Sequence, residues 1–143
     1  MISTSVEIGS PPEVVRKVFL DFSTHQEWHD GIFKKLTPLS ENDPLAVGTP
    51  IHCSLEGMEF EAMITENSPT CFQWQGPPVM GITGLHSFLF EPSKVVKGGT
   101  TFTQKEEFSG AISFLMQPWL LGSKLNAGFQ KFNADLKVRV EGL

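Results

Sequence analysis

Gln117-Pro-Trp-Leu-Leu-Gly-Ser-Lys-Leu-Asn-Ala-Gly-Phe-Gln-Lys-Phe-Asn-Ala-Asp-Leu-Lys-Val-Arg-Val-Glu141 is the stretch whose reading decides the fold. Leu121, Leu125, Phe129 or Gly128, Phe132 and Leu136 recur every three or four residues, the period of a helix with one apolar stripe. Lys124, Lys131, Asp135, Lys137 and Arg139 fall largely off that stripe. Pro118 suits a first helical turn, where its missing N–H is not needed. A helix from Pro118 to Glu141 would be about 36 Å long at roughly 1.5 Å per residue, enough to lie across a small domain. Gly122, Ala127, Gly128 and Ala134 beside the stripe suit a close packing surface or a cavity wall.

Upstream, the pattern changes to period two. Ile51/Cys53/Leu55, Met58/Phe60/Ala62/Ile64, Phe72/Trp74, His86/Phe88/Phe90 and Phe102/Gln104/Glu106/Phe108 alternate with polar residues, which predicts an antiparallel meander. The breaks at Glu56-Gly57, Asn67-Ser-Pro69, Gly76-Pro-Pro78 and Lys97-Gly-Gly99 are turn-forming. Ile2 to Ile8 reads as a first strand. Ser10 as N-cap and Glu13 at the capping-box position then start a short helix with Val14, Val15, Val18, Phe19 and Phe22 on its apolar face. Ser23 to Trp28 predicts a second helical turn, and Phe33 to Leu39 another strand. The sum is an α+β plan, in which about seven strands form a curved sheet that must cover the terminal helix. A gap between sheet and helix is a natural ligand cavity.

The composition sets bounds. The 143 residues suit one domain, 1–143, and 40% hydrophobic with 19% charged residues excludes a disordered chain. No apolar run reaches the roughly 18 residues of a membrane-spanning helix. A net charge of −5 gives no reason to meet nucleic acid or an anionic membrane. The start lacks a secretory pattern, so a reducing cytoplasmic compartment is expected. Cys53 and Cys71, on the first and third strands of the meander, are expected to remain free thiols, and their spacing does not resemble a zinc site.

Several landmarks occur together and in order: Glu27-Trp28, Gly84-Leu-His-Ser-Phe-Leu-Phe-Glu-Pro92, Gly98-Gly-Thr-Thr101, Glu106-Glu-Phe-Ser-Gly110 and Gly128 to Glu141. Over essentially the full chain they resemble the SRPBCC superfamily, also called START-like or Bet v 1-like, and its polyketide cyclase/dehydrase-like branch. The resemblance implies the helix-grip fold: a seven-stranded curved antiparallel sheet around the C-terminal helix, with two short helices after strand 1. It also implies an internal cavity for apolar or aromatic small molecules. Its members include carriers, cyclases and chaperone activators, so the fold alone does not decide among them.

The sharpest candidate site is His86 with Glu106 or Gln104. Even-numbered positions of this hairpin carry the phenylalanines, so all three should share the concave face. Such a pair either serves as acid and base, as a cyclase or dehydratase without metal would require, or orients a ligand and satisfies the wall. The expected ligand-binding set is Phe60, Trp74, His86, Phe88, Phe90, Phe102, Gln104, Phe108, Leu125, Phe129 and Phe132, with His86 and Glu106 as candidate catalytic residues. A second cluster, His25, Glu27, His29 and Asp30, puts two histidines four apart but specifies no third metal ligand, so a solvated helix end near the cavity mouth is expected. Trp28 reads as a core plug for the two-helix corner. Glu59, Glu61, Glu66, Lys105 and Glu107 read as outer-face solvation. The Gly76–Gly84 loop is expected at the cavity entrance or as a connector. The apolar run 110–122 reads as a short packed helix, a lid or an interaction surface.

The expected function is binding of a small apolar or aromatic, lipid-like or polyketide-like molecule. A cyclase or dehydratase using His86, and a chaperone-activator-like interaction module using Ile112 to Leu121, are the alternatives. No cofactor, no metal, no nucleic acid and no stable membrane insertion are expected, and the oligomeric state stays open.

Overall fold

The computed structural model describes residues 1–117 and 122–143. Its strands are β1 (Ile2–Ile8), β2 (Phe33–Pro38), β3 (Pro50–Leu55), β4 (Met58–Ser68), β5 (Cys71–Gln75), β6 (Thr83–Pro92) and β7 (Thr100–Ser109). Helix α1 (Pro12–Leu20) and a 3-10 turn (Phe22–Glu27) follow β1; a second 3-10 turn (Ser113–Met116) precedes α2 (Ser123–Glu141). The seven strands form one antiparallel sheet in the order β1-β7-β6-β5-β4-β3-β2, as the period-two stretches predict. Register shifts between Phe33 and Lys35 and between Ile64 and Glu66 interrupt the ladders. Such irregularities bend a strand and increase its twist, which helps the sheet curl around α2.

Helix α2 buries Phe129, Phe132, Leu136 and Val140 and leaves Leu125 half-buried. The Pro118 start and Leu121 of the expected stripe lie outside the described residues. The 19 residues of α2 span about 28 Å at roughly 1.5 Å each. Its C-terminal end is tied to the edge strand: Glu141 Oε2 accepts from the Gly9 N–H at 2.8 Å, and Lys137 donates to the Glu7 carbonyl. Among the small residues, Gly128 sits against Ile32, where a Cβ would come within 2.9 Å of its Cδ1, whereas Ala127 and Ala134 face solvent.

Helix α1 starts at Pro12, with Pro11 as its cap and no side-chain cap bond, not at the Ser10 cap that the Ser-x-x-Glu spacing predicts. A residue that precedes proline is held out of the helical region, so Pro11 stays extended at ψ 155° and the helix cannot begin there. Ser10 instead gives its carbonyl to the Thr100 hydroxyl at 2.6 Å. Arg16 anchors the helix to the β4–β5 turn through the Ser68 carbonyl at 3.0 Å and Asn67 Oδ1 at 2.6 Å.

Phe19 of α1 is fully buried, with ring centroids 4.5–6.2 Å from those of Phe22, Phe72, Phe88, Phe90, Phe102 and Phe132. This aromatic cluster fills one end of the sheet's concave face. Cys53 on β3 and Cys71 on β5 are buried free thiols with β4 between them. Burial pushes the Cys53 thiol up to about 12, and burial, followed by nearby Glu66, pushes Cys71 up to about 11.

Candidate functional site

The other end of the concave face is hollow. A cavity of about 430 Å³ lies there, between the start of α2 and the ends of β3 to β7. Phe60, Trp74 and Phe108 from the sheet, with Leu125 and Phe129 from α2, form its walls. Val79, Met80 and Ile82 from the 76–84 loop, and Ile112, Leu115 and Met116 from the segment after β7, close its mouth. Val79 and Ile82 exchange backbone hydrogen bonds across a two-residue turn that holds Met80 at φ 52° and Gly81 at φ 78°. The two mouth segments touch backbone to backbone: a Cβ on Gly110 would lie 2.1 Å from the Gly81 carbonyl oxygen. A more open hollow of about 480 Å³ on the sheet's outer face, beside Gln75, Leu85 and Glu107, has no buried polar group among its described lining.

His86 and Glu106 are the titratable side chains among the described lining residues. They are direct cross-strand partners on β6 and β7. His86 Nδ1 lies 2.8 Å from Glu106 Oε2, with the two side chains 3% and 17% exposed. The His86 ring stacks on Phe88 at 4.5 Å between centroids, so it forms the floor between the hollow and the packed aromatics. Glu106 Oε1 lies over Gly84, where a Cβ would approach it to 2.8 Å; only a residue without a side chain leaves the carboxyl group that place.

Behind His86 runs a buried polar chain. His86 Nε2 is 2.9 Å from Gln104 Oε1, and Gln104 Nε2 donates to Asn133 Oδ1 at 2.9 Å. Asn133 Nδ2 donates to Thr4 Oγ1 at 2.8 Å, and the Thr4 hydroxyl donates to the Gln104 carbonyl at 3.3 Å. The direction follows from the fixed end: a hydroxyl that donates to a carbonyl accepts from the amide, so each amide oxygen in turn faces away from Thr4. Gln104 Oε1 therefore meets His86 Nε2 as an acceptor, and Nε2 carries a proton. Nδ1 faces the Glu106 carboxyl group at ion-pair distance.

The candidate set divides. Phe60, Trp74, His86, Glu106, Phe108, Leu125 and Phe129 line the cavity. Phe88, Phe90, Phe102 and Phe132 are fully buried around Phe19, and Gln104 sits in the chain behind His86; none of these is in the described lining. Asn133 and Thr4 were not among the expected site residues. The signal for Asn133 was helical arithmetic: four residues after Phe129 and one after Phe132, it must face the sheet, and a buried amide must find partners.

The His25 and His29 cluster is not a solvated end at the cavity mouth. Both rings are buried outside the cavity lining, because α1 supplies a partner to His25 and α2 one to His29. His25 Nε2 donates to the Phe19 carbonyl at 2.6 Å, and burial lowers its pKa to about 4. His29 Nδ1 donates to Asp135 Oδ2 at 2.8 Å while its Nε2 accepts from the Phe33 N–H, and burial outweighs the carboxylate to lower its pKa. Trp28 packs at this corner, 4.8 Å from His25 and 5.4 Å from Phe132 between ring centroids, as a plug would. Among the described residues no group of three or more His, Cys, Asp or Glu is placed to hold a metal ion, and no helix is long and apolar enough to cross a membrane.

A curled antiparallel sheet gripping a C-terminal helix, with a mostly apolar hollow between them, defines the helix-grip class. A family model described as polyketide cyclase/dehydrase and lipid transport matches residues 1–141, and the chain belongs to that family. Solved structures share the fold. A hypothetical protein from Helicobacter pylori aligns with 17% identity and a TM-score of 0.75 over 96% of this chain and 86% of its own. A START superfamily protein from Mycobacterium smegmatis aligns with 18% identity and a TM-score of 0.68 over 99% and 97%. Norcoclaurine synthase from Thalictrum flavum, solved with dopamine and hydroxybenzaldehyde, aligns with 16% identity and a TM-score of 0.68 over 99% and 87%. At these identities the likeness is one of fold. No curated protein matches the chain by sequence.

Proposed function

We propose that this chain binds a small, largely apolar or aromatic molecule, lipid-like or polyketide-like, inside the cavity between the sheet and α2. The observation that carries the proposal is the hollow of about 430 Å³ with apolar walls and one His86–Glu106 pair at its floor. That volume falls in the range of ligand sites, and a few polar groups in an apolar lining are the usual means of fixing a ligand's orientation. Residues 1–143 act in this reading as one cytoplasmic domain without a cofactor. A net charge of −5 favours a small molecule over nucleic acid.

Native mass spectrometry of the purified protein, followed by denaturing extraction, tests it. A discrete small molecule of fixed mass, lost in Leu125→Trp, is the expected result. An empty protein that also takes up no aromatic probe such as naphthalene would overturn it.

The His86–Glu106 pair favours a second reading, a cyclase or dehydratase in which the pair moves protons. His86→Ala should then abolish turnover and spare binding. Loss of both together would favour ligand anchoring over catalysis.

A further inference from the structure

We infer, building on the proposed cavity binding, that the atom presented to the ligand is Glu106 Oε1, and that the ligand belongs to a restricted class: an apolar body with a hydrogen-bond donor at its inner end. Both ring nitrogens of His86 are engaged inside the protein. Nε2 is committed to Gln104 Oε1 at 2.9 Å, and Nδ1 lies 2.8 Å from Glu106 Oε2. The polar chain through Asn133 to Thr4 fixes Nε2 as a proton carrier, so His86 has no lone pair to offer a ligand. The two oxygens of Glu106 differ. Oε2 is occupied by His86, while Oε1 lies over Gly84 and has no hydrogen-bond partner among the described residues.

An oxygen that only accepts, at the floor of an apolar cavity, selects for a hydroxyl, phenol or N–H group. The charge balance points the same way. No lysine or arginine is among the described lining residues, and the one histidine there, His86, is already paired with Glu106, so an acidic ligand would meet the carboxyl group with no free cation to answer it. Fatty-acid-like and other carboxylate ligands are thereby disfavoured, and apolar alcohols, phenols and amines are preferred.

Four matched probes test this at pH 7: naphthalene, 2-naphthol, 2-naphthylamine and 2-naphthoate, with affinities measured by isothermal titration calorimetry. A hydrogen bond to the Glu106 carboxyl oxygen should make 2-naphthol and 2-naphthylamine bind about tenfold tighter than naphthalene, and 2-naphthoate should bind more weakly than naphthalene. In Glu106→Gln the preference for naphthol over naphthoate should collapse while the far-UV circular dichroism spectrum stays that of wild type. Gly84→Ala keeps both polar residues but displaces the carboxyl group, and should flatten the preference in the same way. If naphthalene and naphthol both fail to bind wild-type protein, the cavity-binding proposal itself fails. If naphthalene binds but naphthoate equals or exceeds naphthol, cavity binding stands and the donor-ligand inference is overturned.

Discussion

His25 gives the protein a specific sensitivity to mild acid. Its side chain is buried, with the residue 3% exposed; Nε2 donates to the Phe19 carbonyl, and Nδ1 has no partner among the described residues. Burial, the largest influence, lowers its pKa from 6.5 to about 4. A lowered histidine pKa means that the unfolded chain takes up the proton first. Stability is therefore fully present above about pH 6.5 and drains away as pH falls towards 4. With those two values, linkage gives a loss of about 2 kcal/mol between pH 7.5 and pH 5, at roughly 1.36 kcal/mol per pKa unit. Urea denaturation of wild type and His25→Leu at both pH values isolates the effect. At pH 7.5 the variant should be less stable, because the Phe19 carbonyl loses its donor, at a cost of about 1–3 kcal/mol. At pH 5 the gap should shrink or reverse by about 2 kcal/mol. His29, whose pKa is also lowered, is retained in both proteins and largely cancels in the comparison. A stability gap that stays constant across this range would refute the assignment of a buried neutral His25.

Two further outcomes follow from packing. Cys53 and Cys71, with thiols pushed up to about 12 and about 11, should react with a thiol-specific disulfide reagent at pH 8 only after unfolding; rapid release of one equivalent from native protein would contradict their burial. Phe19→Ala should cost about 3–5 kcal/mol by emptying the aromatic cluster, whereas Phe60→Ala, at a half-buried cavity wall, should cost less and change probe affinity more. Equal stability losses by denaturant titration would mean that the two ends of the sheet are packed alike.

The strands and α2 were legible because their periods are long and regular. Alternation over β3 to β7 told which residues point inward, and a three-to-four spacing told which face of α2 they meet. Alternation does not report depth. Phe88 and Phe90 point the same way as Phe60 and Phe108, yet the first two are core and the last two line the cavity; the division is made by Phe19, brought in by α1. That His86, Gln104 and Glu106 share the concave face was legible from strand alternation, but the direct pairing of His86 with Glu106 needs the register, and the continuation to Asn133 and Thr4 depends on how α2 is rotated against β1. His25 and His29 looked solvated in a short polar segment; their burial depends on the Phe19 carbonyl and on Asp135, the latter 106 positions away. The Ser10 cap failed for a local reason, two consecutive prolines, that a capping pattern read alone overrides.

The cavity has a stiff floor and a looser mouth, and the difference is physical. At the floor, Thr4, Gln104 and Asn133 are buried polar residues whose hydrogen bonds join β1, β7 and α2 at the layer where packed aromatics give way to empty space. Leaving any one of these groups unpaired would cost about 1–3 kcal/mol, so rotation of His86 or Glu106 would strain the whole chain. At the mouth, Met80 is 88% exposed and Phe114 61% exposed, and the two segments meet through a backbone contact at Gly81 and Gly110 rather than through an interlocked core. In the proposed binding role, small displacements of the mouth would admit a ligand, while the His86–Glu106 pair would stay oriented before it arrives. Preorganisation of that kind lowers the cost of ordering on binding, and in the proposed role it would place selectivity at the floor and access at the mouth.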